Sequence, residues 1–361
     1  MTDEKLRIAI IGCGHLGQQY ATVYQAFPDT EIVAIAEYDP DKRKVVGQRF
    51  GVTALYPDAE SMLRQIVPDI AAVVTPTKFM KQAVIACAEA GVKGVTTDKP
   101  LAATLADADA MVEVCQSKGI VFGGGNLQRA MYEVQEAALW LREGRYGDLI
   151  GACIHRYNGE ISGGGCQHIS ILRLFGNAEI EQVMAWGTPQ EALDSDTDTG
   201  LAINGIFRLT NGLECQIFGP EMPHSGVEVW TEDALIRWNW NPPEIFQGFD
   251  KNGHRIKSNV GYTPNEWPQF YYLGSSIRSF LTAVRTGSEL YVSGHDLRQA
   301  LEAAIAAKLS AQMGNVAVKL PLEDRSLTLY PSPARWGGHP QSLEDAAKPW
   351  PGWPRITPSG H

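Results

Sequence analysis

Two hydrophobic rhythms run along the chain, and the change from one to the other divides it. From Leu6 the run LRIAII is short, apolar and β-rich, as a strand buried on both faces requires. It passes through GCGHLG into a helical period over residues 18–27. Apolar runs at 31–36, 70–74, 94–97 and 120–123 then alternate with helical periods at 41–50, 59–65, 81–90 and 105–118. That alternation predicts a doubly wound parallel sheet, and so an α/β fold. Beyond residue 124 the rhythm changes. Strand-like segments at 149–157, 181–186, 200–210, 213–218, 226–230 and 234–238 follow without strand–helix alternation, and Asn211-Gly212 is a hairpin signal between two of them. Helical periods return at 274–286 and 297–313, before a last strand over 315–320.

Length agrees with a division, because 361 residues exceed what one hydrophobic core usually supports. The N-terminus carries no apolar segment ending at a small-residue cleavage site, and no later apolar run approaches membrane-spanning length. A soluble, cytoplasmic protein with no membrane partner is expected. Six cysteines stand singly along the chain, which excludes a zinc spacing or disulfide framework and predicts reduced, mostly buried thiols. No metal site is expected. Acidic residues number 41 against 31 basic, a net charge of -10 that repels nucleic acid on average.

Gly12, Gly14 and Gly17 stand in G-x-G-x-x-G spacing, with His15 and Leu16 inside it, between a strand and a helix. Glycines there permit a tight turn and close approach of backbone to a pyrophosphate. Glu37 ends the second strand 20 residues after Gly17, where a carboxylate accepts hydrogen bonds from the adenosine ribose hydroxyls. That carboxylate, followed by Tyr38 in place of the Arg or Ser that suits a 2′-phosphate, favours NAD over NADP. Lys42 and Arg43 lie just beyond, either as rescue for NADP or as exposed first-turn residues of the next helix. Thr75, Pro76 and Thr77 follow another strand end and line the nicotinamide side, unless they form only a Pro-stabilised turn. Lys99 lies between Asp98 and Pro100 after the strand at 94–97. A residue before proline favours extended backbone, so Lys99 projects from the sheet edge where ligands bind in open parallel sheets.

The combination of GCGHLG, Glu37, a strand ending TPT, and DKP after a helix ending EAG resembles the Gfo/Idh/MocA family of glucose-fructose oxidoreductase and inositol dehydrogenase, over roughly residues 6–321. GNLQR at 125–129, WLREGRYGDL at 140–149 and the segment 288–297 also resemble family segments. The resemblance implies a Rossmann domain over 1–124 and an α+β substrate and oligomerisation domain with a large, mostly antiparallel open sheet over 125–321. A Pro- and Trp-rich extension over 322–361 follows, which fits an arm across the same subunit or a neighbouring one. It implies a small carbohydrate or polyol substrate, a homo-oligomer (dimer or tetramer), and a lysine as catalytic group. Here the usual Glu-Lys-Pro is Asp98-Lys99-Pro100, with Asp98 orienting the lysine loop beside the cofactor.

The family lysine works with an aspartate and a histidine from a segment resembling G-G-G-x-x-x-D-x-G-x-H-x-x-D. The corresponding stretch here is GGGCQHISILRLFG over 163–176, and it departs from that pattern. Anchoring on Arg173 puts Gln167 at the histidine position; anchoring on the glycines puts His168 near the first aspartate. Either way, His168 opens an apolar helix facing the expected pocket and is the candidate second catalytic group, with a helix cap or core histidine as the alternative. Gln167 is a candidate substrate hydrogen-bonder. Arg129 orients nicotinamide or an anionic substrate group, or is a surface arginine opening a helix. His155 and Tyr157 share a face of one strand, with Tyr157 a candidate substrate contact.

The expected activity is NAD-dependent oxidation of a secondary hydroxyl of a sugar, glycoside or cyclitol, with Lys99 as general acid/base. Two alternatives stand beside it. One is redox-assisted cleavage or elimination of a glycoside with tightly bound, recycled NAD; the other is a non-catalytic NAD-binding regulator.

Overall fold

A computed structural model describes residues 4–125, 127–157, 160–219 and 224–338; Trp350 and Trp353 of the extension lie outside the described residues. Six short strands form the first sheet: β1 (Leu6–Ile11), β2 (Thr30–Ala36), β3 (Leu55–Tyr56), β4 (Ile70–Val73), β5 (Gly94–Thr96) and β6 (Val121–Gly123). All pairings are parallel, in the order β3-β2-β1-β4-β5-β6. The helices between them are α1 (His15–Ala26), α2 (Pro40–Phe50), α3 (Ala59–Leu63), α4 (Thr77–Ala90) and α5 (Leu105–Ser117). Chain order reverses between β1 and β4, where the carboxyl ends of an open parallel sheet leave a crevice. α1 starts at His15, earlier than its apolar period suggests, because the nucleotide-motif glycines already form its first turn.

After helix α6 (Tyr132–Arg142), a mixed sheet forms from β7 (Leu149–His155), β8 (Ile180–Thr188), β9 (Ala202–Leu209), β10 (Glu214–Phe218), β11 (Gly226–Thr231), β12 (Ala234–Trp238), β13 (Glu244–Phe249), β14 (Arg255–Lys257) and β15 (Val318–Lys319). Its order is β14-β13-β12-β11-β7-β10-β9-β8-β15, antiparallel except for the β7–β10 pair. Asn211-Gly212 forms the expected hairpin, with Gly212 at φ 85°. The last strand shrinks to two residues, and the β13–β14 ribbon had no strong alternation to announce it.

Pairing register assigns the two faces of this sheet. Val183, Ala185, Ile203, Phe207, Cys215, Ile217, Val227, Val229 and Ile236 lie on one face and are buried, beneath α7 (Cys166–Gly176) and α10 (Gly294–Gln312). Met184, Trp186 and Phe218 lie on the other face and remain substantially exposed.

α9 (Tyr271–Thr286) returns from the second half of the chain to the first sheet. Phe270, Leu273, Ile277, Phe280 and Leu281 share a core with Ile8, Ile10, Tyr20, Tyr24 and Phe27. Burial of each such side chain contributes roughly 1.5–3 kcal/mol. A Cβ on Gly94 of β5 would lie 2.8 Å from the Phe280 ring, so this strand accepts α9 only without a side chain there. Arg278 of α9 also pairs with Asp29 at 2.9 Å.

Beyond β15 the chain runs over its own subunit. Ala106 N–H donates to Arg325 O (2.9 Å), Leu105 N–H to Leu327 O (3.2 Å) and Leu329 N–H to Ala103 O (2.7 Å), so this arm is stitched to the loop that follows Pro100. Tyr330 N–H then reaches Asp196 O (2.9 Å) before the short helix α11 (Pro333–Gly337). α8 (Gln190–Asp194) precedes that Asp196 loop.

Candidate active site

The crevice between β1 and β4 is built around glycine. Gly12 has φ 91°, and a Cβ on it would lie 2.5 Å from Val74 O. Gly14 caps α1 without a side-chain hydrogen bond, and nothing lies within 4 Å of where its Cβ would be. Space is thus left beside Gly14 at the N-terminus of α1, where the positive end of the helix dipole lies. Gly17 packs under Gly12 O too closely for a side chain.

Glu37 is buried at the end of β2, where Oε2 accepts from Cys13 N–H (2.8 Å) and Oε1 from Asp39 N–H (3.2 Å). A carboxylate has about four lone-pair sites, so acceptor capacity remains. Arg43 turns back to donate to Glu37 O, and Lys42 is largely buried with its Nζ 5.9 Å from the centre of the Tyr38 ring. Neither is a freely solvated first-turn residue. Tyr38 itself is 78% exposed. At the end of β4, Thr75 Oγ1 is buried and makes no hydrogen bond among the described residues, while Pro76 caps α4 and Thr77 is its first residue. A side-chain-free anion cradle, an acceptor for ribose hydroxyls and an unsatisfied hydroxyl at the end of β4 fit a dinucleotide.

Lys99 follows β5 on the same edge. Asp98 Oδ1 accepts the Lys99 N–H at 2.7 Å, and the Lys99–Pro100 peptide is cis. Asp98 is buried, yet Lys99 keeps partial access. Lys99 Nζ forms no hydrogen bond or ion pair among the described residues. Burial lowers its proton affinity, Asp98 opposes that, and Arg335 of the arm adds to it.

A wide π-type turn over Ile161–Gly165 leads into α7, and Glu160 just before it is among the charges that act on Lys99. Ser162 N–H donates to Asp198 Oδ2 at 2.7 Å, and Cys166 Sγ donates to Ser162 O at 2.9 Å. Asp198 is fully buried, and burial pushes its carboxyl up to about 6; its Oδ1 makes no hydrogen bond among the described residues. Glu160 Oε1 accepts from Ser332 N–H (3.0 Å), and Glu160 Oε2 lies 3.2 Å from Arg335 Nε. Gly338 packs on Pro76, where a Cβ would lie 2.9 Å from Cγ. The arm thus reaches from the α7 wall to the cofactor crevice.

Other expected contacts are placed elsewhere. Successive residues of a helix point about 100° apart, so with Cys166 turned toward the Lys99 side, His168 turns away. Its ring is fully buried, edge-on to Trp238 (5.3 Å between centroids) and Trp240 (5.7 Å), with Nδ1 3.1 Å from Gly164 O and Nε2 3.2 Å from Ser225 Oγ. Burial drives its pKa down to about 4. The expectation that His168 faces the pocket is therefore corrected: it is a core histidine against the second sheet. Gln167 is buried and accepts Gln128 N–H at 2.8 Å through Oε1. Arg129 is no surface residue. Its guanidinium donates to Tyr291 O (2.9 Å) and Ser170 O (2.8 Å) and pairs with Asp296 (3.2 Å), joining the chain before α6 to α7 and α10.

The shared face of His155 and Tyr157 is also corrected, because Arg156 has φ 41° and ends the strand alternation. His155 lies 3.3 Å from Glu228 on the sheet, whereas the Tyr157 hydroxyl is buried between Leu201 O and Ile203 N–H. Two charged residues that meet the glycine turn were not singled out by pattern. Asp198 stands in the acidic run DSDTDTG, which looks like a solvated loop, and Arg335 lies in the Pro- and Trp-rich extension.

Residues 6–125 match the model of the Gfo/Idh/MocA group, described as an oxidoreductase family with an NAD-binding Rossmann fold. D-apiose dehydrogenase of Paraburkholderia graminis is 32% identical over 146 residues, which span 40% of this chain and 39% of that protein. The chain thus spans about two fifths of that relative's length. Myo-inositol 2-dehydrogenase of Thermotoga maritima is 24% identical over 331 residues, 85% of this chain and 96% of the other. Among solved structures, an oxidoreductase from Agrobacterium radiobacter in complex with NAD+, L-tartaric acid and magnesium superposes with a TM-score of 0.72 at 20% identity, covering 87% of this chain and 98% of that one. That likeness concerns the fold.

Proposed function

We propose that the chain, whose residues 6–125 match the Gfo/Idh/MocA oxidoreductase model, oxidises a secondary hydroxyl of a sugar, glycoside or cyclitol with NAD. The observation that carries this reading is the uncommitted, partly accessible Lys99 Nζ on the sheet edge that also holds the glycine cradle. Bound nicotinamide would accept the hydride from the carbinol carbon. Gly12, Gly14 and the first turn of α1 would hold the pyrophosphate, Glu37 the adenosine ribose, and Thr75 to Thr77 the nicotinamide side. Tyr38 would flank the adenosine.

Lys99 takes the hydroxyl proton as the substrate is oxidised and returns it in reduction. A half-buried amine whose proton affinity is lowered by burial suits that exchange, and such assistance is worth on the order of 10²- to 10⁴-fold. Asp98 fixes the backbone of Lys99 without entering the proton path. The Glu160 carboxylate makes this side polar, and Asp198 Oδ1 behind it makes no hydrogen bond among the described residues, which suits a polyhydroxylated ligand. The names of the dehydrogenase relatives support this substrate class. His168, Arg129, Gln167 and Tyr157 support the wall from behind. Six free, buried thiols fit a reducing cytoplasm.

Incubation with NAD⁺ and a panel of sugars, glycosides and inositols, following NADH absorbance and product masses together, tests the reaction. Steady NADH formation is expected. Products without NADH would replace net oxidation by redox-recycling cleavage, and intact NAD binding with no product across the panel would favour a regulator. Lys99→Ala should bind NAD normally and lose most turnover; near-normal turnover would remove Lys99 from the mechanism.

A further inference from the structure

The chain after β15 has two parts that are held in different ways. From Leu322 to Leu329 it is built into the protein: both leucines are buried, Arg325 pairs with Asp109 (2.7 Å) and Glu302 (2.6 Å), and the backbone bonds to residues 103–106 in the loop after β5. Tyr330 N–H on Asp196 O ends this fixed stretch. From Ser332 onward the hold is lighter. α11 buries no side chain, and the Tyr330–Trp336 ring contact, 4.9 Å between centroids, is internal to the arm. Glu160 fastens it from outside, accepting Ser332 N–H through Oε1 (3.0 Å) and pairing through Oε2 with Arg335 Nε (3.2 Å). A Cβ on Gly163 would lie 3.1 Å from Arg335 Cζ, so glycine there leaves room for the arginine. Just beyond, α11 packs on α4, and Gly338 rests on Pro76, where its Cβ would lie 2.9 Å from Cγ.

The arm thus follows the carboxyl edge of the first sheet, from the loop after β5 to the segment after β4. Ligands of an open parallel sheet lie along that edge, and Pro76 stands between Thr75 and Thr77 on the proposed nicotinamide side. We propose that residues 332–338 form a gate over the nicotinamide end of the cofactor crevice, latched by Glu160, and that this latch opens for a dinucleotide to enter or leave. The proposal rests on that crevice being the NAD site. The fixed stretch ending at Tyr330 is the base from which the gate swings. Its latch is a single carboxylate whose arginine partner is 38% exposed at the side chain, and ion pairs open to water are weak. Such a latch opens spontaneously, so it delays exchange of the dinucleotide without preventing it.

Stopped-flow mixing of the full chain with NADH, followed by nicotinamide fluorescence, reads entry, and displacement by excess NAD⁺ reads release; neither needs a substrate. A gate stands in the path both ways, so loosening it speeds both steps and leaves their ratio, the dissociation constant, within about twofold. Arg335→Gln should raise both rate constants roughly fivefold, and Arg335→Lys should keep both near the wild-type values. Damage to the binding site itself would speed release without speeding entry and would weaken binding. That result, or unchanged rates in Arg335→Gln, would overturn the gate. Glu160→Gln removes the charge on the other side of the latch and should also speed both steps; it decides the question alone should Arg335→Gln fail to fold. A wild type that binds no NADH would overturn the NAD site and the gate together, whereas normal binding with unaltered exchange in both variants overturns the gate alone.

Discussion

Lys99 and His168 show how much a single residue's surroundings decide. The lysine's position was legible, since proline after it and a strand before it leave few directions for the side chain. His168 was legible only as a titratable residue near a helix start. Which side of α7 it occupies depends on the register of the glycine turn, and the turn proved to be π-type. The placement has a measurable consequence. With its pKa lowered from 6.5 to about 4, His168 is neutral in both states at neutral pH, and its full contribution is present there. As pH falls below 6.5 the unfolded chain takes the proton first, so on the order of 3 kcal/mol is lost on approaching pH 4. Asp198 has the opposite slope. Its raised pKa favours the fold at low pH, and that contribution fades as pH rises from 3.8 through about 6. Denaturant unfolding of the wild type and His168→Gln at neutral and mildly acidic pH separates the two. The variant should lose less stability on acidification, and equal losses would refute the buried neutral imidazole.

At the level of elements, the parallel sheet was readable because each strand and helix carries its own period, while the supports between elements were not. Arg129, Arg173 and Asp296 lie far apart in sequence, and no linear pattern pairs them. In the fold, Asp296 Oδ1 meets Arg129 at 3.2 Å and Arg173 at 3.0 Å, while Oδ2 accepts from Ser293 to complete the capping box of α10. One buried carboxylate thus joins α7, α10 and the chain before α6. Asp296→Asn keeps the shape but leaves the nearly buried Arg129 guanidinium facing a neutral amide and Arg173 paired with Glu179 alone (2.6 Å). It should cost on the order of 3 kcal/mol in urea unfolding. A loss within about 0.5 kcal/mol would place it among ordinary surface substitutions. Burial raises the cost of charging Asp296, but both arginines hold its pKa below the usual range, so its contribution persists at neutral pH and fades only in acid.

For the whole molecule, the second sheet has one face filled by helices and one left open with Met184, Trp186 and Phe218 on it. Exposed aromatic groups on one face of a sheet suit a second copy of the same face. The homo-oligomer that the family resemblance implies should give a mass in light scattering that is a multiple of one chain, and Trp186→Glu should reduce it; a monomeric wild type would refute that expectation. Alternation along the strands had implied a covered and an open face, yet only pairing register tells which residues share each. The path of α9 back to the first sheet was equally hidden, since an amphipathic helix does not state which sheet it covers. That path bears on synthesis. The nucleotide-binding strands are complete by residue 123, but Phe280, which fills the space over Gly94, is translated about 160 residues later. At ribosomal rates this is on the order of ten seconds. For that interval the nascent chain carries an incompletely covered apolar flank, so the third of the protein made first is among the last to become watertight.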